Sequence, residues 1–274
     1  MILVTGATGN VGSNIVKQLV AAGHRVRALS RNPSIIRNVE TVSGDLRNTD
    51  SLKDAFAGVQ GIFLFPAANI APNLGQIAAE QGVRRIVVLS SAANQRLTNV
   101  QSPIAAKHAA AEDTVRSADL EWTILRSDSF ATNALAWAPS IRTDNVVRAP
   151  FSQAHRNPIH EADVAGAVVS ALTLNGHAGK TYMLTGPQSL TQADQVASIG
   201  RAINRDIRFE EQTREEARAE MVERIPVAAA DQLLNYLEQS VNRPAHVLDT
   251  VERLTGSPAR TFMQWAFDHA DEFR

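Results

Sequence analysis

The first twelve residues constrain this chain more than any other stretch. Ile2-Leu3-Val4-Thr5 is an apolar run of strand length, and it passes directly into Gly6-Ala7-Thr8-Gly9-Asn10-Val11-Gly12. From there Val11, Ile15, Val16, Leu19 and Val20 recur at helical spacing on one face. Glycine has no Cβ, so it permits a tight turn and a close approach of the backbone to a charged ligand. The helix that follows turns its unpaired N–H groups and positive dipole end toward the same spot. Strand, glycine turn and helix in that order form the phosphate cradle of a dinucleotide-binding α/β unit. The spacing is Gly-x-x-Gly-x-x-Gly rather than Gly-x-Gly-x-x-Gly, so its place between strand and helix carries the assignment. Gly6, Thr8, Gly9, Asn10, Val11 and Gly12 are the expected phosphate-binding residues.

The same alternation continues downstream. Arg25–Ser30, Glu40–Ser43, Gly61–Phe65, Arg85–Ser90 and Trp122–Arg126 read as strands. Helical segments separate most of them, at about Thr49–Ala57, Asn73–Gln81 and Pro103–Ser117. The continuous apolar runs are those of strands covered on both faces. This predicts a Rossmann-type α/β fold, a doubly wound parallel sheet with helices on both sides. Residues 127–160 are richer in loops. A helix from Glu161 to about Leu174 and a strand at Thr181–Gly186 close the sheet. From Thr191 the chain reads as mostly helical. The expected organisation is a nucleotide-binding domain over 1–186, with 127–160 contributing in part to a substrate pocket. A small helical substrate lobe over 187–274 completes it.

Bulk properties exclude several classes. A length of 274 residues allows a sizeable core, and a net charge of −1 offers no basic surface for nucleic acid. Cysteine is absent, which removes disulfides, thiolate metal sites and cysteine nucleophiles. The chain opens on a strand with no room for a signal peptide, and no apolar stretch is long enough to cross a bilayer. A cytoplasmic protein is the expectation.

The end of the second strand is where a dinucleotide site declares its preference. An acid there bonds the ribose 2′-hydroxyl and repels a 2′-phosphate. Here the place reads Ser30-Arg31-Asn32-Pro33, and the Arg31 guanidinium can pair with a 2′-phosphate through two hydrogen bonds. NADP(H) is therefore the expected cofactor. Asp45, at the end of the third strand, either accepts from the adenine amino group or caps its own turn.

Several landmarks together carry a family resemblance. They are the Thr-Gly-Ala-Thr-Gly-Asn-Val-Gly start, Ser-Arg-Asn-Pro after the second strand and Gly44-Asp45-Leu46 after the third. Further on come Gly82-Val83-Arg84-Arg85-Ile86-Val87-Val88-Leu89-Ser90-Ser91, Lys107, and Trp122-Thr123-Ile124-Leu125-Arg126 with Phe130 and Asn133. Over most of its first 190 residues the chain resembles the NmrA-like branch of the atypical short-chain dehydrogenase/reductases. The resemblance implies one of two functions. Some members are NAD(P)H-dependent reductases of quinones, azo dyes or triphenylmethane dyes. Others hold NADP without turnover and act as redox-sensing regulators through protein partners.

Typical members of the wider superfamily use a Tyr-x-x-x-Lys pair on the helix after the fifth strand. Its lysine holds the nicotinamide ribose, and its tyrosine is the general acid. Lys107 stands on the expected helix as the expected ribose ligand, but Pro103 occupies the tyrosine position. Neither Tyr182 nor Tyr236 has a lysine four residues later. His108 is turned away from the 103/107 face by about 100° and is a poor substitute. Without that acid, ketone reduction is disfavoured, because a strongly basic alkoxide needs a proton. Hydride addition to a quinone or a conjugated dye yields a delocalised product that does not. The expected function is an NADPH-dependent reductase of a small quinone-like or dye-like electron acceptor. The alternative is a non-catalytic NADP(H)-sensing regulator. Arg126, Phe130 and Asn133 follow from the sixth strand, and Phe130 and Asn133 are the expected substrate-side residues. In the C-terminal part, Val222, Ile225, Val227, Leu233, Leu234 and Leu237 supply apolar packing, and Trp265 and Phe267 anchor the last helix.

Overall fold

The computed structural model describes residues 1–31, 36, 39–66, 70–92 and 103–274, with backbone alone at 103–104. Asn32 and Pro33, which follow Arg31 in the turn read above, lie outside the described residues. The chain divides into two compact units, each built from separated segments.

The first unit comprises Met1–Ser127, Glu161–Leu184 and Thr250–Ser257. Its elements are β1 (Ile2–Thr5), α1 (Asn10–Ala21), β2 (Val26–Ser30), β3 (Glu40–Ser43), α2 (Thr49–Phe56) and β4 (Gly61–Leu64). They continue with α3 (Leu74–Glu80), β5 (Arg85–Ser91), α4 (Pro103–Arg116), β6 (Glu121–Ser127), α5 (Glu161–Thr173), β7 (Lys180–Leu184) and α6 (Thr250–Thr255). Among the described residues the strands form one sheet in the order β3-β2-β1-β4-β5-β6-β7, and every pairing is parallel. The doubly wound parallel sheet expected from the sequence is what forms. Parallel strands need covered faces. α2, α3 and α4 cover one side, and α1 and α5 the other, with α6 against α5. All four residues of β1 and of β4 are buried, which is why these strands read as unbroken apolar runs. Leu3, Phe56, Ile62, Leu74, Ile86 and Ile124 lie at the centre of one face's core.

Thr49-Asp50-Ser51 offers N-cap chemistry in the sequence, but the cap lies one residue earlier. Asn48, rather than a residue of Thr49–Ser51, caps α2, its side chain accepting from the Asp50 N–H at 3.0 Å. The strand order reverses between β1 and β4, and in open α/β sheets ligands bind outside the carboxyl ends at that reversal. The Phe65 N–H donates to Thr5 Oγ1 at 2.7 Å, tying the two strand ends together there.

The second unit comprises Asp128–His160, Thr185–Asp249 and Pro258–Arg274. It is helical over Gln192–Ile203, Arg214–Val222, Val227–Gln239 and Phe262–Asp268, yet it also holds two short sheets. Val146–Ala149 pairs in parallel with Arg208–Glu211, a strand hidden in a stretch that the sequence presents as helical. His155–Arg156 pairs antiparallel with Leu190–Thr191. Trp265 is fully buried, stacked on Phe262 at 5.0 Å between ring centroids and edge-on to Phe273. Phe267, by contrast, is 58% exposed and anchors nothing, and Ile225, Val227 and Leu233 also stay open while Leu234 and Leu237 are buried. Among the described residues no helix is long and apolar enough to cross a membrane.

Candidate functional site

The glycine turn is shaped by three different physical demands. Gly6 has φ +62°, a left-handed conformation that side-chain-bearing residues rarely adopt. A Cβ on Gly12 would lie 2.0 Å from the Gly6 carbonyl oxygen, so the first turn of α1 sits directly on the loop. Gly9 has ordinary extended dihedrals (φ −81°, ψ 170°), and a Cβ there meets only the Gly6 oxygen at 3.3 Å. Strain does not require glycine at position 9, and the crowding there is slight beside that at Gly12. The Gly9 N–H donates back to Gly6, and the first helical bond runs from the Ser13 N–H to the Gly9 carbonyl. The N–H groups of Asn10, Val11 and Gly12 therefore precede the helical ladder. No side chain caps this helix, and no acid stands in its first turn. Thr8, Gly9 and Asn10 are exposed, and the Val11 side chain is buried so that only its backbone faces the turn. These features fit a diphosphate held by backbone donors and the helix dipole.

Arg31 and Asp45 emerge at the carboxyl ends of neighbouring strands. β2 and β3 are in register to Ser30 and Ser43, and the Gly44 N–H donates to the Ser30 carbonyl at 3.1 Å. Asp45 is held from below by the Ser51 hydroxyl, which accepts from its N–H at 3.1 Å. Its carboxylate is engaged by Arg47: it accepts from the backbone N–H and Nε at 3.0 Å and from Nη2 at 2.5 Å. The Arg47 guanidinium above all, with a smaller contribution from the field of Arg31, holds the Asp45 carboxyl down at about 2. Arg31 itself is exposed.

On the other side of the turn, Phe65 follows β4 and lies beside Gly6, 44% exposed. Lys107 Nζ stands 6.0 Å from the Phe65 ring centroid, so the lysine of α4 reaches the carboxyl end of β4. Its neighbour His108 is partly buried. Burial first, and the adjacent Lys107 charge second, push its imidazole down to about 4, leaving it neutral, with Nδ1 lacking a hydrogen-bond partner.

Beneath these residues lies a group that the sequence reading passed over. Glu112 is 1% exposed, accepting from Ser90 Oγ at 2.6 Å and from Arg126 Nε and Nη2 at 2.9 and 2.6 Å. Arg116 adds a contact at 3.0 Å. Ser90 and Arg126, both at strand ends where ligand contact was conceivable, are thus joined to a buried carboxylate. The Glu112–Arg116 spacing of four was legible as a helical ion pair. The Arg126 partner depends on how α4 lies over β5 and β6.

Phe130 and Asn133 belong to the second unit. Phe130 bridges Ile159 and precedes a 3₁₀ helix at Ala131–Trp137, and Asn133 is exposed within it. The same unit holds a polar cluster. Tyr236 donates to Asp128 at 3.2 Å, with the Arg156 guanidinium over its ring at 4.1 Å.

Residues 6–175 match the family model described as NAD(P)H-binding. The chain is 37% identical to the (4-alkanoyl-5-oxo-2,5-dihydrofuran-3-yl)methyl phosphate reductase of Streptomyces griseus, across 100% of this chain and 99% of that one. It is 32% identical to the NAD(P)H azoreductase of Xenophilus azovorans, with the same coverage. A solved NADPH-dependent quinone oxidoreductase of Escherichia coli superposes with a TM-score of 0.80. That match covers 97% of this chain and 98% of the other at 22% identity, a likeness of fold.

Proposed function

The chain belongs to the NAD(P)H-binding family, and from that premise we propose that it is an NADPH-dependent reductase of the NmrA-like branch that its motifs resemble, acting on a conjugated, electron-poor acceptor of the quinone or dye type. The observation that carries this is the residue four before Lys107, which is Pro103 and not tyrosine. The two tyrosines have other occupations: Tyr182 shares a hydrogen bond of 3.0 Å with His177, and Tyr236 donates to Asp128. Bound NADPH supplies a hydride. The chain's own part is to bind the cofactor, orient it and leave the acceptor to delocalise the charge it gains.

In this assignment Gly6, Thr8, Gly9, Asn10, Val11 and Gly12 hold the diphosphate, Arg31 takes the 2′-phosphate and Asp45 faces the adenine. Lys107 holds the nicotinamide ribose. Phe130 and Asn133 are the substrate-side residues of this assignment. The names of the curated relatives support an electron-poor acceptor. A dihydrofuranone bearing an alkanoyl group has a ring double bond conjugated to carbonyls, and an azo group is an activated N=N bond.

The test is NADPH oxidation with quinones, azo dyes, triphenylmethane dyes and acyl-butenolides, beside simple ketones. Turnover is expected with the conjugated acceptors and retained in Tyr182→Phe and Tyr236→Phe. A loss of about 10²-fold or more in either variant identifies a tyrosine acid and overturns the proposal. Tight NADPH binding with no turnover on any acceptor replaces it with the sensor alternative.

A further inference from the structure

The adenosine end of the site contains a third charged residue that the sequence reading did not assign. Arg47 follows Asp45 by two positions and closes on it through a backbone N–H and a side-chain fork. Two guanidinium nitrogens, Nε and Nη2, face the carboxylate, which leaves the two donors of Nη1 outside the pair. The Arg47 side chain is 53% exposed, and that of Asp45 is 28% exposed. Arg31 leaves the adjacent strand end close enough for its charge to act on Asp45.

This arrangement matters for discrimination between cofactors. A bare carboxylate at this edge would accept from a ribose hydroxyl and repel a phosphate dianion. Here the carboxylate is covered by a cation whose remaining donors are free to meet an anion, and a second guanidinium stands on the neighbouring strand. We propose that Arg47 is the second guanidinium of a 2′-phosphate subsite, fixed beside Arg31 by Asp45, and that it sets the preference for NADPH both by binding the phosphate and by masking the acid. This rests on the NADPH reading above.

The experiment is calorimetric titration of the full chain and of Arg47→Met, Arg47→Lys and Arg47→Met/Asp45→Asn with NADP⁺ and NAD⁺. Both the residue and its partner are surface groups, so the variants are expected to fold, which a thermal melt checks. Arg47→Met is expected to weaken NADP⁺ about tenfold or more, the usual scale for losing charge-assisted hydrogen bonds. NAD⁺ is expected to bind as tightly as before or more tightly. Arg47→Lys keeps the charge without the fork and is expected to fall between. Removing Asp45 as well is expected to cancel any gain in NAD⁺ affinity. If the native chain prefers NADP⁺ but Arg47→Met leaves that preference unchanged, the role of Arg47 is overturned while the NADPH reading stands. If the native chain shows no preference, both fall together.

Discussion

Alanine at each of the three glycines separates a loop built for its own folding from one built to hold a ligand. At Gly12 the added Cβ would stand 2.0 Å from the Gly6 oxygen and 2.7 Å from its carbon. Ordinary contact begins at 3.4 Å, so the turn and helix must part by roughly 1.4 Å. Hydrogen-bond donors displaced that far from an anion lose it, since such bonds weaken steeply beyond about 3.2 Å. Losing two such donors at about 1.5–3 kcal/mol each gives roughly 3–6 kcal/mol, or about 10²- to 10⁴-fold in affinity. Overpacking adds a stability loss of about 1–3 kcal/mol. At Gly6 the nearest atom is the Phe65 Cβ at 3.5 Å, so the cost is the left-handed backbone, about 1–2 kcal/mol. At Gly9 the backbone cost is absent and the crowding slight, because φ is −81° and the one close neighbour, the Gly6 oxygen at 3.3 Å, need shift by only about a few tenths of an ångström. Gly9→Ala is therefore expected to unfold with the native chain, within about 0.5 kcal/mol, while binding NADPH more weakly. Calorimetric titration with NADPH, paired with urea unfolding of the ligand-free variants, reads both quantities. A Gly12→Ala chain that binds NADPH within about threefold of the native one would refute the cradle. A Gly9→Ala chain with unchanged affinity would show that no ligand approaches the backbone there.

Two further expectations concern the layer under the site. Glu112→Leu leaves Arg126 and Ser90 without their buried partner, and breaking such a pair costs about 3–5 kcal/mol, measured by the urea midpoint. A change under about 1 kcal/mol contradicts the assignment. His108, held down to about 4 against an ordinary value near 6.5, stays neutral in the native chain where the unfolded chain takes up a proton. Stability should then fall as pH drops from about 6.5 to about 4, because the unfolded state binds more protons across that window. The fall should be shallower in His108→Gln, and an identical pH dependence in the variant rules the histidine out as its source.

The glycine turn, the buried strand runs and the order of helices were legible because each depends on neighbours within a few residues. Periodicity and missing Cβ atoms are local properties, and they placed β1, β4 and α1 to within a residue or two. Legibility fades where an element is short or borrowed. Arg208–Glu211 is a strand only because Val146–Ala149 lies beside it; its sequence, Arg-Phe-Glu-Glu, carries no alternation of its own. Phe267 and Val227 are apolar yet exposed, since side-chain chemistry states a tendency to be buried and not which helix face will be covered.

The chemistry divides in the same way. The sequence by itself determined that this chain opens on a strand, a glycine turn and a helix, lacks an acid directly after its second strand and has no tyrosine four residues before Lys107, because each is a matter of which residue stands at which spacing. Only the tertiary structure decided which charges those residues meet. It closed Arg47 over Asp45 beside Arg31, and it buried Glu112 between Ser90 and Arg126. The Arg47–Asp45 pair is local to one turn, two residues apart, but Arg31 comes from the neighbouring strand end, and Ser90 and Arg126 meet Glu112 within 3 Å only because a helix folds over two strand ends.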